Sequence, residues 1–276
     1  MRLTVNLLLL TATLLFFSCK KETEDYTPVG ELLSDYLPLQ VGKYITYRTD
    51  SLIFLNAGHS IDRHYSQEKH VIDAQVPDAL GRPSYRVFRF LRDSAGTQPW
   101  TPNGTYYITP IVDSNTRLYS RIELIENNLR VIKLAKSVKQ GQTWKGNQYL
   151  PTDPYSSLFG SNFNPDDDLN IWNFSVVSMH TTETIRGTTY KDVATVEPLD
   201  DQGNPINVLD NVSAITSTLV VDPNRLATAV TSTDKYAKGI GLIYQELTLW
   251  ERQPTTNTTS AYYNGFSVIR RIIDHN

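Results

Sequence analysis

The sequence predicts a mainly β fold, a curved antiparallel sheet or half-barrel with few short helices. Tyrosine and threonine are abundant, with 16 tyrosines against 2 methionines, and such residues suit a pleated, half-buried surface. Turn-forming residues recur at short intervals, as many short strands require. No stretch sustains a 3.6-residue apolar period, whereas period-2 alternation is plain in several places.

Taken in chain order, strands are expected over 43–55, 61–74, 85–92, 105–112, 117–126, 129–136, 171–179, 181–186, 189–197, 214–221, 243–252 and 265–273. Within 117–126, Leu118, Ile122 and Leu124 fall on one face and Arg117, Arg121 and Glu123 on the other, as one packed and one wet face demand. Within 243–252, Ile243, Leu247 and Leu249 oppose Glu246, Thr248 and Arg252. The runs 85–92 and 129–136 are apolar on both faces, as two-sided strands would be. Helical turns are expected only at 30–35, 154–159 and 224–230. The stretch 150–170, rich in Pro, Asp and Asn, is the best internal break in a β-rich domain that otherwise runs 36–276 as one unit. No repeat of fixed period is present, which speaks against a solenoid or propeller.

Ahead of that domain, Met1-Arg2 supplies one positive charge before an almost wholly apolar run, Leu3 to Phe17, that ends at Ser18-Cys19. A spanning helix needs about 20 apolar residues, so this run is short for an anchor and has the layout of a secretory signal peptide over residues 1–18. The stretch Leu15-Phe16-Phe17-Ser18-Cys19 resembles the lipobox of bacterial lipoproteins, whose cysteine becomes the acylated amino terminus. Residues 19–35 are then the lipidated cysteine and a flexible tether. Its charged first part, 20–28, buries too little apolar surface to offset the entropy of ordering. Lys20 follows the cysteine where the familiar inner-membrane retention signal has Asp, and Lys followed by acidic residues is similar to the export signal of Bacteroidota-type lipoproteins. The resemblance implies the outer membrane, with exposure at the cell surface as a further expectation.

Formal net charge is −3 with the basic residues scattered, which leaves no electrostatic footprint for nucleic acid. Cys19 is the single cysteine, so the domain after it has no disulfide and rests on burial and hydrogen bonding. Beyond the leader no apolar segment is long enough to span a bilayer, and the acyl chains on Cys19 are the expected membrane anchor.

Two segments bracket the chain. Tyr36-Leu37-Pro38-Leu39-Gln40-Val41-Gly42-Lys43-Tyr44-Ile45-Thr46-Tyr47 turns at Pro38 and Gly42 into an aromatic first strand, and Tyr236-Ala237-Lys238-Gly239-Ile240-Gly241-Leu242-Ile243-Tyr244 places glycines where a sheet bends. With the intervening Gly187-Thr188-Thr189-Tyr190 hairpin, they resemble the opening and closing motifs of a family of Bacteroidota-type envelope lipoproteins with no established activity. The resemblance implies a curved antiparallel sheet like the half-barrel of periplasmic lipid carriers, and it carries over no catalytic residue. The Gly-Ile-Gly triplet is no phosphate loop, because no third glycine follows and a strand comes next.

The nucleophile elbow, zincin helix, phosphate loop and EF-hand loop are all missing from the sequence, so nothing in it calls for a cofactor or a catalytic residue. His64, Glu68 and His70 share strand parity, but His64 stands about 13 Å from Glu68 along a strand, too far for one ion. Asp166, Asp167 and Asp168 offer oxygen ligands at a spacing that matches no calcium loop, so they stand as weak metal candidates beside their reading as turn formers. Asp200 to Asn204 reads as a hairpin turn. Of the 4 tryptophans, Trp250 shares a face with Glu246 and Arg252, and Trp100 sits in a proline-flanked loop. Those two are the ligand-contact candidates, because aromatics elsewhere are better read as core.

The expected function is that of an outer-membrane-anchored lipoprotein that binds an apolar ligand or a partner protein without catalysis. The alternative is a surface lipoprotein that binds or processes glycans. An apolar concavity favours the first; an open groove with exposed tryptophan beside paired carboxylates favours the second. For the anchor, radiolabelled palmitate should enter the wild type and not Cys19→Ala, and equal labelling of both would remove the lipidation reading.

Overall fold

The computed structural model describes residues 29–155, 169–200, 202–212, 222 and 224–276. Cys19, residues 20–28, Asp166 to Asp168 and the strand expected over 214–221 lie outside the described residues. A four-residue helix, α1 (Leu33–Tyr36), precedes β1 (Tyr44–Leu55), β2 (Ser60–Pro77), β3 (Pro83–Asp93), β4 (Thr101–Val112), β5 (Tyr119–Glu126), β6 (Leu129–Ala135) and β7 (Thr143–Lys145). There follow β8 (Asn173–Ile185), β9 (Thr188–Leu199), β10 (Asn207–Asp210), β11 (Ala227–Ala237), β12 (Gly241–Gln253) and β13 (Tyr262–His275).

All belong to one antiparallel sheet in the order β6-β5-β4-β3-β2-β1-β13-β12-β11-β9-β8-β7, with β10 on β11, nearly closed into a barrel. The first and last strands join the two halves, from Ile45 opposite His275 to Ile53 opposite Phe266. The free edges β6 and β7 approach at one point. There Ile132 N–H donates to the Gly146 carbonyl at 2.7 Å and Trp144 Nε1 donates to the Ile132 carbonyl at 3.0 Å. Gly146 is needed for this approach, because a Cβ there would stand 2.4 Å from the Phe174 ring.

Closure sorts each strand's side chains into an inner and an outer set. The inner set gathers Ile72, Val87, Ile108, Ile122, Leu134, Val176 and Val196 around Leu33 and Tyr36 of α1, a helix too short to persist without that packing. The opening and closing motifs meet at this end: Gly239 N–H donates to the Asp35 carbonyl at 2.7 Å, and Gly241 lies against Ile45.

The structure differs from the sequence reading in several places, among them Arg117 and Leu118, which precede β5 (Arg117 at φ 59°), and residues 231–237, which continue β11. Residues 227–230, expected as a helical turn, begin β11, because Ala229 and Val230 find partners on β10 and β12. The two strands expected over 171–179 and 181–186 are the single β8, whose register slips near His180 as that residue takes φ 53°. The short strands β7 and β10 carry too few residues to show a period. The outer face is not uniformly wet: Glu123, Thr248 and Trp250 are each 0% exposed.

Gly265 marks a tight backbone approach between β12 and β13. With φ +112° its absent Cβ would lie 2.0 Å from the Leu249 carbonyl oxygen and 2.6 Å from Trp250 Cα, and neither backbone atom can yield. Gly265→Ala should therefore cost about 3 kcal/mol in urea unfolding, from overlap and left-handed strain together. An unchanged midpoint would contradict this account of the closure.

Candidate functional site

The interior is divided by a belt of polar side chains on the inner face. On β13, Arg270 Nε donates to Glu68 Oε2 of β2 at 2.9 Å and its Nη1 donates to Gln245 Oε1 of β12 at 2.6 Å. Gln245 Nε2 donates to Asp234 Oδ1 of β11 at 2.9 Å, and Asp234 also pairs with Lys133 of β6 and accepts from Tyr236 at 3.2 Å. On the other side, His70 Nε2 meets Glu68 Oε2 at 3.2 Å and its Nδ1 meets the Tyr106 hydroxyl at 3.0 Å. Arg89 of β3 pairs with Glu126 of β5 at 2.5 Å.

Three cations, Arg89, Lys133 and Arg270, thus face three carboxylates, Glu68, Glu126 and Asp234. Arg270 and His70 hold the Glu68 carboxyl well below the ordinary carboxylate range against the opposing pull of its own burial. Burial pushes His70 below its ordinary value, with Glu68 only partly offsetting it. A neutral imidazole with its proton on Nε2 satisfies both bonds, donating to Glu68 and accepting from Tyr106, whose own hydroxyl burial keeps protonated.

Two spaces flank the belt. Toward α1, a small cavity of about 110 Å³ is walled by Leu37, Leu39, Ile72, Val87, Ile108 and Leu242. On the far side a chamber of about 450 Å³ is walled by Leu129, Val131, Trp172, Phe174, Leu247, Phe266 and Val268, with Tyr155 and Leu169 beside it. Arg89, Leu124, Glu126, Lys133, Gln245 and Arg270 border both spaces. Burial lifts the Tyr155 hydroxyl to about 12, so Tyr155 stays neutral beside the chamber.

Of the sequence candidates, Glu68 and His70 enter this site, while His64 is exposed farther along β2. They enter as partners of Arg270 and Tyr106 and not as metal ligands, and no group of three metal-binding side chains occurs among the described residues. Trp250 does lie on the face opposite Leu247 and Leu249, but the structure corrects its expected exposure. It is fully buried against Leu52, Ala227 and Ala229, with Phe54, Val212 and Tyr263 beside them. Trp100 is half-buried under the Arg92 guanidinium, 4.1 Å from its ring centre. The belt residues Arg89, Glu126, Lys133, Asp234, Gln245 and Arg270 are not among the sequence candidates, although a polar residue at an inward parity position marks the site. Arg270 between Val268 and Ile272, and Gln245 between Ile243 and Leu247, are the plainest cases.

No family model matches the chain, and no curated protein does. Among solved structures, a Bacteroides fragilis protein named as exported and YmcC-like in fold is 12% identical, with 87% of this chain and 99% of that one covered at a TM-score of 0.29. A Vibrio parahaemolyticus domain named as an outer membrane lipoprotein-sorting protein is 11% identical, covering 85% of each chain at 0.20. A DUF1329 family protein of Desulfovibrio piger is 11% identical, covering 86% of this chain and 87% of that one at 0.18. Likeness at this level leaves the function to be read from the chain's own geometry.

The belt makes stability depend on pH in a stated direction. The unfolded chain binds a proton at His70 below about 6.5, while the folded chain, with its lowered value, does not. Stability therefore falls as pH drops through that window, by at most about 1.4 kcal/mol per pH unit. Glu68 adds a loss in the same direction only below its ordinary value of 4.5. Urea unfolding between about pH 7.5 and 5 should show a steeper loss in the wild type than in His70→Gln, and parallel curves would contradict a buried neutral His70.

Proposed function

We propose that this chain is an envelope lipoprotein, tethered to the outer membrane through Cys19, whose barrel interior binds an apolar ligand without turning it over. The observation that carries the proposal is the chamber of about 450 Å³, within the range of ligand sites, with walls more apolar than polar, interrupted by Asn127, Asn147, Ser232 and Glu246, and the ion-paired belt as its floor. Because every belt cation already faces a carboxylate, a second buried charge would find no free counter-ion there. The favoured ligand therefore places an uncharged chain in the chamber and leaves any charged group outside. A structural role for these groups fits binding without turnover, since both His70 nitrogens and the Glu68 carboxylate are engaged by one another, Tyr106 and Arg270. The walled chamber, together with a buried Trp250 and a covered Trp100, favours an apolar ligand over glycan capture at those two residues.

Native mass spectrometry of the full chain after mild extraction should reveal a bound apolar species, and Val268→Trp, which fills the chamber, should lose it while the β circular-dichroism spectrum is kept. A wild type that carries no such species, or a Val268→Trp variant that retains it in full, would contradict the chamber as the site.

A further inference from the structure

On the outer wall, independently of the chamber, we infer a binding site for the oxyanion of an acidic sugar, formed by Arg121, Arg130 and Tyr149 over the buried Glu123. Glu123 is 0% exposed, yet it lies on the face of β5 opposite the inward Ile122 and Leu124. Guanidinium groups cover it: Arg121 Nε donates to Oε1 at 2.8 Å, Arg82 Nη2 donates to Oε2 at 3.4 Å, and Arg130 Nη1 stands 3.9 Å from Oε2.

One carboxylate cannot use the donors of three guanidinium groups. Arg82 is completed by Asp78 at 2.7 Å, whereas among the described residues Arg121 spends only its Nε on Glu123, and Arg130 makes only its long ion pair and lies 5.4 Å over the Tyr149 ring. Three arginines against two carboxylates leave a charge of +1, and the Arg121 and Arg130 side chains, each 36% exposed, are within reach of a ligand from solvent. Glu123 thus acts as a brace that holds adjacent forks in place before any ligand arrives, which reduces the ordering cost of capturing a planar or tetrahedral oxyanion. Tyr149, 44% exposed beside the forks, offers a flat apolar plate of the kind a sugar ring covers. A uronate or sulfated sugar fits both features, whereas a bare anion uses only the first.

The chain's net charge of −3 makes adventitious attraction of polyanions weak, so binding would report a local site. The test is fluorescence anisotropy of a labelled oligogalacturonate titrated with the full chain in nonionic detergent. Binding should weaken about tenfold in Arg130→Gln, which loses its charge-assisted contact yet leaves Arg82 and Arg121 on Glu123. Tyr149→Ala should weaken it severalfold. Lys69→Gln, which removes the same charge from a cation–aromatic pair with Tyr44 elsewhere on the outer wall, should leave it unchanged. Glucuronate should displace the probe at lower concentration than acetate at equal ionic strength. No wild-type binding, or equal weakening by Lys69→Gln and Arg130→Gln, would overturn the site. Displacement by glycerol phosphate in preference to glucuronate would assign it to a lipid headgroup and overturn the sugar assignment.

Discussion

The constraint on which the rest of the molecule depends is the pairing of β1 with β13. Without it there are two curved sheets, each with an apolar face open to water; with it there is one wall with an inside. That pairing draws together residues more than two hundred positions apart, as the bond between Arg270 and Glu68, separated by 202 positions, records. Such closure orders a long loop before most contacts reward it, so the register must be held firmly once formed. Close backbone approach of Gly58, in the turn after β1, to Tyr263 of β13, whose N–H donates to the Gly58 carbonyl at 2.9 Å, and the stacked Phe54 and Tyr263 rings, 4.8 Å apart, hold it on the outer side.

Having made an inside, the fold places charges in it. Taking ions out of water is expensive, and the expense is offset only where partners and hydrogen bonds are complete. The belt meets that condition by matching each cation to a carboxylate from another strand, so that the ion pairs also staple β2 to β13, β6 to β11 and β3 to β5. Removing one partner of such a pair generally costs about 3–5 kcal/mol, because it leaves its mate buried and uncompensated. The belt therefore fixes where the apolar contents of the barrel are interrupted, and that interruption leaves two unequal spaces instead of one filled core.

Much of this was legible in the sequence, and the reasons for the rest are physical. Period-2 alternation revealed most long strands and placed Ile122 and Glu123 on opposite faces correctly, because that pattern is set by backbone geometry alone. It also put Glu68 and His70 on one face, but their partners come from strands far along the chain, and spacing within one strand carries no trace of them. Trp250 shows the same limit: its face was read correctly, but Leu52, Ala227 and Ala229 cover it from other strands. Glu123 is buried on an outer face for a similar reason, since the turn carrying Arg82 folds over it. The paired motifs were easier to find than to interpret, and their meaning is contact, Gly239 with Asp35 and Gly241 with Ile45.

The central claim, that the belt floors a chamber built for an uncharged chain, is tested most directly by a crystal structure of the protein purified from its own envelope with gentle detergent. The account expects elongated electron density between Phe174, Leu247 and Phe266 that ends short of an intact contact between Arg270 and Glu68. A chamber filled only by ordered water, or a ligand whose charged group has displaced Glu68 from Arg270, would contradict it.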